Sequence, residues 1–290
     1  MTLDEAVAAA CGSMPRARVP LHGGCVAEVY RLDFDDRPPL VAKVAPPGRG
    51  GLAIEGYMLG YLARHSRLPV PAIRHVADDL LLMDYVEHVG NRGAGRPQGD
   101  RAAAEEDAAE QLAVLHALSA EAYGFPRDTV IGALPQPNPW TGNWCDFYRD
   151  QRLLVMGRIA RESGRLPAAT HRALERFCAR LENFIDQPPA PGLVHGDVWA
   201  GNVLCAADRV AAFIDPALYF ADPEVEIAYI ELLSTFGAAF HRRYRELRPL
   251  RPGYAEGRRD VYNLFPLLVH TEICGAPYAQ MVQDILSRYG

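Results

Sequence analysis

The pattern of the chain changes near residues 84–90, and this change limits the folds that the chain can adopt. Before it, short alternating apolar segments separated by glycine and proline predict strands. After a glycine-rich polar segment at residues 90–100, apolar residues recur mainly at helical spacing. The chain is therefore expected to be α+β, with a β-rich lobe over residues 1–86 and a mainly helical lobe over residues 87–290.

Five strands and two helices are predicted in the first lobe, and five helices with a small β patch in the second. The elements predicted in the first lobe are helices over residues 3–11 and 52–65, and strands within 19–34 (two, around a glycine turn), 40–45, 73–77 and 80–85. Those predicted in the second lobe are helices over residues 102–119, 144–163, 167–185, 223–247 and 262–288, and strands at 192–195, 203–205 and 210–214. A cleft between two such lobes is a common place for a ligand site.

The composition is that of a globular protein and argues against several classes of partner. The chain has 290 residues, 49% of them hydrophobic, and a net charge of −6, so it can bury a large core but lacks the basic surface that nucleic acid binding needs. No apolar run approaches the roughly 18 residues that span a bilayer, and the acidic start does not resemble a secretory signal. We therefore expect a cytoplasmic protein without a membrane partner, whose six scattered cysteines are free thiols.

Three polar residues at the edges of short apolar runs form the most specific pattern in the chain. Asp197 lies five residues before Asn202, and Asp215 lies thirteen residues after Asn202. Each alone is explained by the turn preference of Asp and Asn. Together, their spacing matches the catalytic loop of phosphoryl-transfer enzymes. The sequence thus predicts Asp197 as the catalytic base, and Asn202 and Asp215 as oxygen ligands of Mg²⁺.

The first lobe offers residues for an ATP site. Gly23-Gly24 joins two strands, where backbone N–H groups can approach phosphates, although a plain hairpin turn has the same composition. Lys43 lies among apolar neighbours in a strand and needs a partner if it is buried. Glu55, on the next helix, is the candidate partner. The segment Met83-Asp84-Tyr85 ends the last strand at the lobe boundary, where its backbone groups are expected to hold adenine.

Three segments resemble the fructosamine kinase (ketosamine 3-kinase) family. Residues 195–202, HGDVWAGN, are similar to its H-G-D-L-W-x-G-N signature, and residues 215–222, DPALYFAD, to its D-P-A-x-Y-x-G-D. Residues 131–153 contain GALPQPNPW, then Trp144, Phe147-Tyr148 and Arg152-Leu153, which resemble the family's G-x-x-P-Q-x-N-x-W, W-x-x-F-(F/Y) and R-L run. The resemblance spans roughly residues 20–235, and this third segment is not shared by kinase-like enzymes in general.

This resemblance implies a two-lobed protein-kinase-like fold and an enzyme that uses ATP and Mg²⁺. The family phosphorylates the sugar 3-hydroxyl of ketosamines, after which the product breaks down and frees the amine. The implied partner is therefore a ketosamine, either a small molecule or a glycated protein. The chain could act as a monomer or as a homodimer.

Four residues are expected to contact the substrate: His195, Trp199, Trp140 and Trp144. Trp140 and Trp144 could stack on a sugar ring or could serve as core anchors, and the sequence does not choose between these roles. The chain departs from the family pattern at Ala221, Pro223, Glu226 and Cys25. None of these departures removes a catalytic group, but they leave the preferred sugar open.

Two other functions remain open at this point. An aminoglycoside or choline phosphotransferase would share the pattern around Asp197 and Asp215, although the segment at residues 138–144 argues against it. A nucleotide-binding pseudokinase would be expected to lack at least one of the catalytic groups. A separate hypothesis concerns Cys25, whose thiol in a glycine turn would be open to reversible oxidation.

Overall fold

The computed structural model of the protein describes residues 2–21, 27–46, 51–89 and 101–289. The first lobe is built on a five-stranded antiparallel sheet with the order β1-β2-β3-β5-β4. Its strands are β1 (Ala17–Leu21), β2 (Glu28–Asp33), β3 (Leu40–Val44), β4 (Ile73–Val76) and β5 (Leu80–Asp84). The five predicted strands are confirmed, with ends that differ by a few residues.

The two faces of this sheet are covered by different helices. On one face, Leu40 and Ala42 pack with residues that include Val7 of α1 (Leu3–Cys11). On the other, Leu81 and Met83 pack against α2 (Leu52–His65). Because side chains alternate along a strand, Lys43 points to the face that carries α2. Both helices have the predicted bounds.

The second lobe is mainly helical. Its α-helices within the described residues are α3 (Arg101–His116), α4 (Trp144–Tyr148), α5 (Leu154–Glu162), α6 (Ala168–Cys178), α7 (Glu224–Leu232), α8 (Ala238–Leu247), α9 (Arg259–Cys274) and α10 (Ala276–Arg288). The protein thus has the predicted α+β, two-lobed kinase-like fold. β5 ends at Asp84 and α3 begins at Arg101, so the type of element changes around the predicted boundary at residue 86, which itself stays a prediction.

Four helices that were predicted as continuous are divided in the structure; in one of them, predicted over residues 167–185, α6 ends at Cys178 and a 3₁₀ turn follows at Leu181–Asn183. A π-helical turn at Arg149–Leu153 separates α4 from α5. The predicted helix over residues 223–247 breaks between α7 and α8, where Ser234 has a positive φ of 51°. Gly275 separates α9 from α10 with φ 87°, a backbone conformation that favours glycine. The break at Gly275 has a local signal in the sequence, because glycine often ends a helix and Pro277 suits the first turn of the next one.

Short antiparallel strand pairs interrupt the helices of the second lobe. β8 (Gly192–Val194) pairs with β11 (Tyr219–Ala221), and β9 (Val203–Cys205) pairs with β10 (Val210–Phe213). β8, β9 and β10 were predicted, whereas β11 and the hairpin of β6 (Thr129–Ile131) and β7 (Leu134–Gln136) were missed. The loop from β8 to β9 carries Asp197 and Asn202, and the loop from β10 to β11 carries Asp215.

Helix α2 joins the two lobes through apolar packing. Met58 and Leu62 of this helix are fully buried and belong to the large core of the second lobe. The backbone N–H of Leu218 also donates to Met58 Sδ across 3.4 Å. None of the helices in the described ranges is long and apolar enough to cross a membrane.

Candidate active site

The loops that carry Asp197 and Asp215 pack directly against each other. The N–H of Ala217 donates to the carbonyl oxygen of His195 across 2.7 Å. Gly196, between His195 and Asp197, has φ 88°, and a Cβ atom there would lie 2.1 Å from the carbonyl oxygen of Ala217. Only glycine fits such a position, both for its φ and for the lack of space. The glycine of the predicted motif therefore allows the loops that carry Asp197 and Asp215 to approach.

Both carboxylate oxygens of Asp197 accept a hydrogen bond. Asn202 Nδ2 donates to Oδ2 across 2.8 Å and also to the Asp197 carbonyl oxygen across 2.9 Å. The hydroxyl of Tyr229, on α7, donates to Oδ1 across 2.9 Å. Burial raises the pKa of Asp197 to about 7, although the hydrogen bonds from Tyr229 and Asn202 oppose this rise. A carboxylate with a pKa near neutral is suited to take a proton at physiological pH.

Lys43 is buried between two carboxylates, one from each lobe. Lys43 is only 6% exposed. Its Nζ atom lies 2.6 Å from Glu55 Oε1 and also forms a hydrogen bond with the carboxylate of Asp215. Burial alone would lower the pKa of Lys43, but the charges of Glu55 and Asp215 outweigh it and raise the pKa. Asp215 has φ 55°, a strained conformation of the kind that collects at functional sites.

The charged cluster, defined as Lys43, Glu55, Asp197, Asn202 and Asp215, has more carboxylates than cations. Burial and the neighbouring Asp215 raise the pKa of Glu55 to about 7, and Lys43 only partly opposes this. A divalent cation would balance the excess negative charge, and the oxygens of Asn202 and Asp215 are ligands that Mg²⁺ accepts. Among the residues that the structure describes, no group of three or more His, Cys, Asp or Glu side chains could hold a metal.

Family comparison gives a match over nearly the whole chain. The family model described as "Fructosamine kinase" matches residues 4–289. The chain belongs to the fructosamine kinase family.

Individual relatives agree with this membership. A protein named "Probable ketoamine kinase" from Synechocystis sp. is 37% identical over 182 residues, which are 62% of this chain and 60% of that protein. A "Protein-ribulosamine 3-kinase, chloroplastic" from Oryza sativa subsp. indica is 30% identical over 284 residues, 92% of this chain and 77% of that protein. The matches to the first curated relatives thus cover about 60% of those proteins' own length.

Solved structures show the same fold. A crystal structure described as that of a "putative fructosamine-3-kinase" from Thermobifida fusca has a TM-score of 0.83 and 29% identity, and the match covers 99% of this chain and 97% of that chain. An aminoglycoside phosphotransferase matches with a TM-score of 0.69 and 19% identity over 99% of both chains, which shows the fold alone.

A buried acidic residue that the sequence did not indicate supports the fructosamine kinase signature at residues 195–202. Glu226 of α7 accepts the N–H of Gly196 at 2.6 Å and that of His195 at 3.2 Å. His116 Nε2 lies 2.8 Å from Glu226, and His116 Nδ1 lies 2.7 Å from the Tyr244 hydroxyl. Burial works to raise the pKa of Glu226, but its bond and charge interaction with His116 lower it overall. The sequence shows that Glu226 departs from the family pattern. It does not indicate these contacts, because the helix dipole alone explains an acidic residue near a helix N-terminus.

His195 does not have the predicted role of a substrate contact. Its ring is fully buried, and Nδ1 accepts the N–H of Asp197 across 3.3 Å. Burial lowers the pKa of His195, which favours the neutral ring. The residue therefore holds the backbone at Asp197 in place, and its ring is enclosed by protein.

Among the tryptophans predicted to contact the substrate, Trp144 lies in the protein core. Its side chain is fully buried and its indole N–H donates to the Tyr262 hydroxyl across 3.0 Å, so it is a core anchor. Trp199 is 40% exposed and lies over Gly201 in the same loop as Asp197. Trp140 is 50% exposed, but its ring packs 6.0 Å from Phe220. Exposure therefore leaves Trp199 and Trp140 as candidates for contact with a substrate, and Trp199 lies two residues from Asp197 in the sequence.

The third family segment forms a second buried cluster. The arginine cluster consists of Thr129, Gln136, Asn138 and Arg152. Arg152 donates to Asn138 Oδ1 at 2.6 Å and to the Pro137 carbonyl at 2.7 Å, and its guanidinium lies 4.0 Å from the centre of the Tyr219 ring. Asn138 Nδ2 and Gln136 Nε2 both donate to Thr129 Oγ1, at 2.8 and 2.9 Å.

The arginine cluster supports the loop that carries Asp215. Gln136 Nε2 also donates to the carbonyl oxygen of Ala217 across 3.0 Å. Burial lowers the pKa of Arg152 to about 10, still well above neutral, so it stays charged. In the described part of the chain, Arg152 Nε and Gln136 Oε1 are the atoms of this cluster that have no hydrogen-bond partner. The buried residues of this family motif thus support the site, whereas its exposed Trp140 stays a candidate for contact with the sugar.

The predicted adenine segment ends β5 as expected, but two of its donors are occupied. The N–H of Asp84 donates to the Ala72 carbonyl at 2.9 Å, and that of Tyr85 to the Pro39 carbonyl at 3.2 Å. The Asp84 side chain pairs with Arg74 at 2.6 Å, and Met83 is buried. Adenine contacts at this segment would therefore use groups other than these two N–H donors. Gly23, Gly24 and Cys25, predicted to lie at the phosphates, fall outside the described residues.

Proposed function

We propose that this protein is an ATP-dependent ketosamine 3-kinase, which transfers the γ-phosphoryl group of ATP to the sugar 3-hydroxyl of a ketosamine. The observation that carries the proposal is the charged cluster. It brings Lys43 and Glu55 of the first lobe together with Asp215 of the second, beside the Asp197–Asn202 pair. Membership of the fructosamine kinase family and the names of its relatives support the ketosamine as acceptor.

Asp197 would be the catalytic base of this reaction. Its carboxylate takes the proton of the acceptor hydroxyl while the hydroxyl oxygen forms a bond to the γ-phosphorus of ATP. The bond from this phosphorus to the leaving oxygen of ADP breaks in the same transfer. Asn202 and Tyr229 keep the carboxylate oriented, because each donates to one of its oxygens.

Lys43 would position the phosphates of ATP, and Glu55 would keep Lys43 directed into the cleft. When bound, Mg²⁺ supplies positive charge that neutralises the phosphates. Asn202 and Asp215 would hold this ion through their side-chain oxygens. The bond between Lys43 and Asp215 would then loosen, because Lys43 gains the phosphates as partners.

The acceptor would be a free ketosamine or a glycated protein, and Trp199 is the exposed aromatic residue next to the base.

Because ATP is the phosphoryl donor, we propose that the reaction takes place in the cytoplasm. The phosphorylated product would break down and release the amine, which amounts to deglycation. Whether the enzyme works as a monomer or a homodimer does not affect these roles, because one chain carries all of them.

The test is a coupled ADP-release assay with an acceptor panel. The purified protein, with Mg²⁺ and ATP, is given a fructosyl-amine, a ribulosyl-amine, aminoglycosides and choline in parallel. We expect ADP release with a ketosamine and a background rate with the other acceptors. Turnover of an aminoglycoside or of choline in preference to every ketosamine would overturn the proposal, and so would a lack of Mg²⁺-dependent turnover with all of them.

A further inference from the structure

Tyr229 brings a second oxygen atom to the catalytic base. It lies on α7, outside both catalytic loops, and its hydroxyl donates to Asp197 Oδ1 across 2.9 Å. The residue is buried, and its ring lies 6.3 Å from that of His270 on α9. The position of this oxygen is therefore set by helix packing and not by the loop.

The acceptor must reach Asp197 from the side of Tyr229. Oδ2 is held by Asn202, which is the candidate metal ligand and so faces the nucleotide. Oδ1 is held by Tyr229 on the other side.

The oxygen of Tyr229 can only accept a further hydrogen bond. Its single hydrogen is given to Asp197, which leaves its lone pairs. Burial and the charge of Asp197 raise the pKa of Tyr229, so the phenol keeps its proton. Within the ranges that the structure describes, no protein donor reaches this oxygen. Oδ1 of Asp197 and the Tyr229 oxygen therefore form a pair of hydrogen-bond acceptors 2.9 Å apart.

We propose that Tyr229 is a specificity-determining residue, which accepts a hydrogen bond from the hydroxyl next to the one that is phosphorylated. Two neighbouring hydroxyls of a sugar can lie at a separation close to that of this acceptor pair. The reacting hydroxyl donates to Asp197, and its neighbour donates to Tyr229. The site thus selects acceptors that carry a vicinal diol.

For a ketosamine, the neighbour that Tyr229 reads is the C4 hydroxyl. The reacting hydroxyl is on C3, between C2 and C4. C2 changes between a carbonyl and a hemiketal when the sugar ring opens and closes, whereas the C4 hydroxyl stays free in the open chain and in both common ring sizes. This inference rests on the proposed function and adds to it the feature of the sugar that is recognised.

The test compares two acceptors on two enzymes. kcat/KM is measured at saturating Mg²⁺-ATP for a fructosyl-amine and its 4-deoxy analogue, with the wild-type protein and with Tyr229→Phe. The wild type should prefer the parent sugar by about 2- to 10-fold, the value of one hydrogen bond. In Tyr229→Phe, we expect this preference to fall to about one. The variant also loses a contact to Asp197, which slows both acceptors alike and cancels in the ratio.

The control is Tyr123→Phe, which removes a buried hydroxyl that bonds Gln187 and is not a contact of Asp197. It should keep the wild-type preference. Unchanged ATP affinity and thermal unfolding would show that Tyr229→Phe is folded. A Tyr229→Phe enzyme that keeps the full wild-type preference would overturn the inference while the proposed function stands. A wild type that is inactive on both sugars would overturn the proposed function and this inference with it.

Discussion

The charged cluster and the arginine cluster are both buried and polar, but their electrostatics differ. In the charged cluster, burial raises the pKa of Asp197 and of Glu55 to about 7, and Asp215 has a strained backbone. In the arginine cluster, the one cation, Arg152, is held by neutral oxygens and by the face of Tyr219. The charged cluster thus has an excess of charge that a bound ligand can neutralise. In the arginine cluster, nearly all polar atoms already have partners within the protein.

This difference separates residues that act from residues that support. Strongly shifted carboxylates in a cleft are characteristic of sites that bind or transfer charged groups. A buried network that satisfies its own polar atoms instead fixes one arrangement of the chain. The arginine cluster fixes the carbonyl of Ala217, two residues after Asp215. The two clusters should therefore respond to mutation in opposite ways, one in rate and the other in stability.

The largest expected effect is on rate, from Asp197→Asn. The change is nearly isosteric but removes the proton acceptor, so kcat should fall by about 10²–10⁴-fold. The affinity for ATP and the free energy of unfolding should stay near those of the wild type. The control is Asp208→Asn, the same substitution at an exposed residue of the second lobe. A kcat within a few-fold of the wild type would show that Asp197 is not the base.

The next effect is on stability, from Arg152→Met. The change leaves the oxygens of Asn138 and Pro137 buried without a donor, at about 1–3 kcal/mol each. Denaturant unfolding should therefore show a loss of about 2–6 kcal/mol in the free energy of unfolding. Arg149→Met, which breaks pairs with Asp146 and Asp150 nearer the surface, should cost less than about 1 kcal/mol. Equal losses in the two variants would remove the distinction between the clusters.

A smaller effect is expected on metal-dependent binding, from Asn202→Ala. Because Asn202 is a candidate ligand of Mg²⁺, calorimetry should show a weaker affinity for Mg²⁺-ATP, by about 10-fold, and little change for ATP with a chelator. Asn183→Ala, at an exposed residue, is the control. If binding weakens equally with and without Mg²⁺, Asn202 acts through structure and not through the metal.

The smallest effect concerns the acceptor, from Trp199→Ala. Loss of an aromatic face is worth about 0.5–1.5 kcal/mol, so KM for a ketosamine should rise by about 2- to 10-fold at an unchanged KM for ATP. Trp140→Ala should change this KM less, because the Trp140 ring packs on Phe220. A larger rise in the KM for the ketosamine in Trp140→Ala than in Trp199→Ala would show that Trp140, and not Trp199, is the main aromatic contact of the acceptor.

Much of the charged cluster could be predicted from spacing along the chain. Asp197 and Asn202 lie in one loop, and Lys43 and Glu55 lie in neighbouring elements, so local patterns indicate them. The order of strands and helices likewise indicates the two lobes. For these features, the information is contained in short segments with specific residues at fixed intervals.

The residues that the sequence did not indicate act through distant contacts. Tyr229 and Glu226 reach the catalytic loop from α7, and His116 reaches it through Glu226 from α3. Nothing in the local sequence marks such contacts. For Trp144 the sequence left stacking and burial equally open, because an aromatic residue beside a motif suits both, and only the tertiary structure places it in the core. The support for the site is therefore a property of the tertiary structure.

The most direct test of the central claim follows the phosphoryl group itself. The wild-type protein is incubated with Mg²⁺-ATP and a fructosyl-amine, and the products are identified by ³¹P and ¹H NMR. We predict a phosphomonoester coupled to the sugar proton on C3, formed in equal amount with ADP, and no such signal with Asp197→Asn over the same period. The spectra are taken at early times, because breakdown of the 3-phosphate releases inorganic phosphate together with the amine. A phosphate on another atom, or inorganic phosphate from the start without a phosphomonoester and without free amine, would contradict the proposed function.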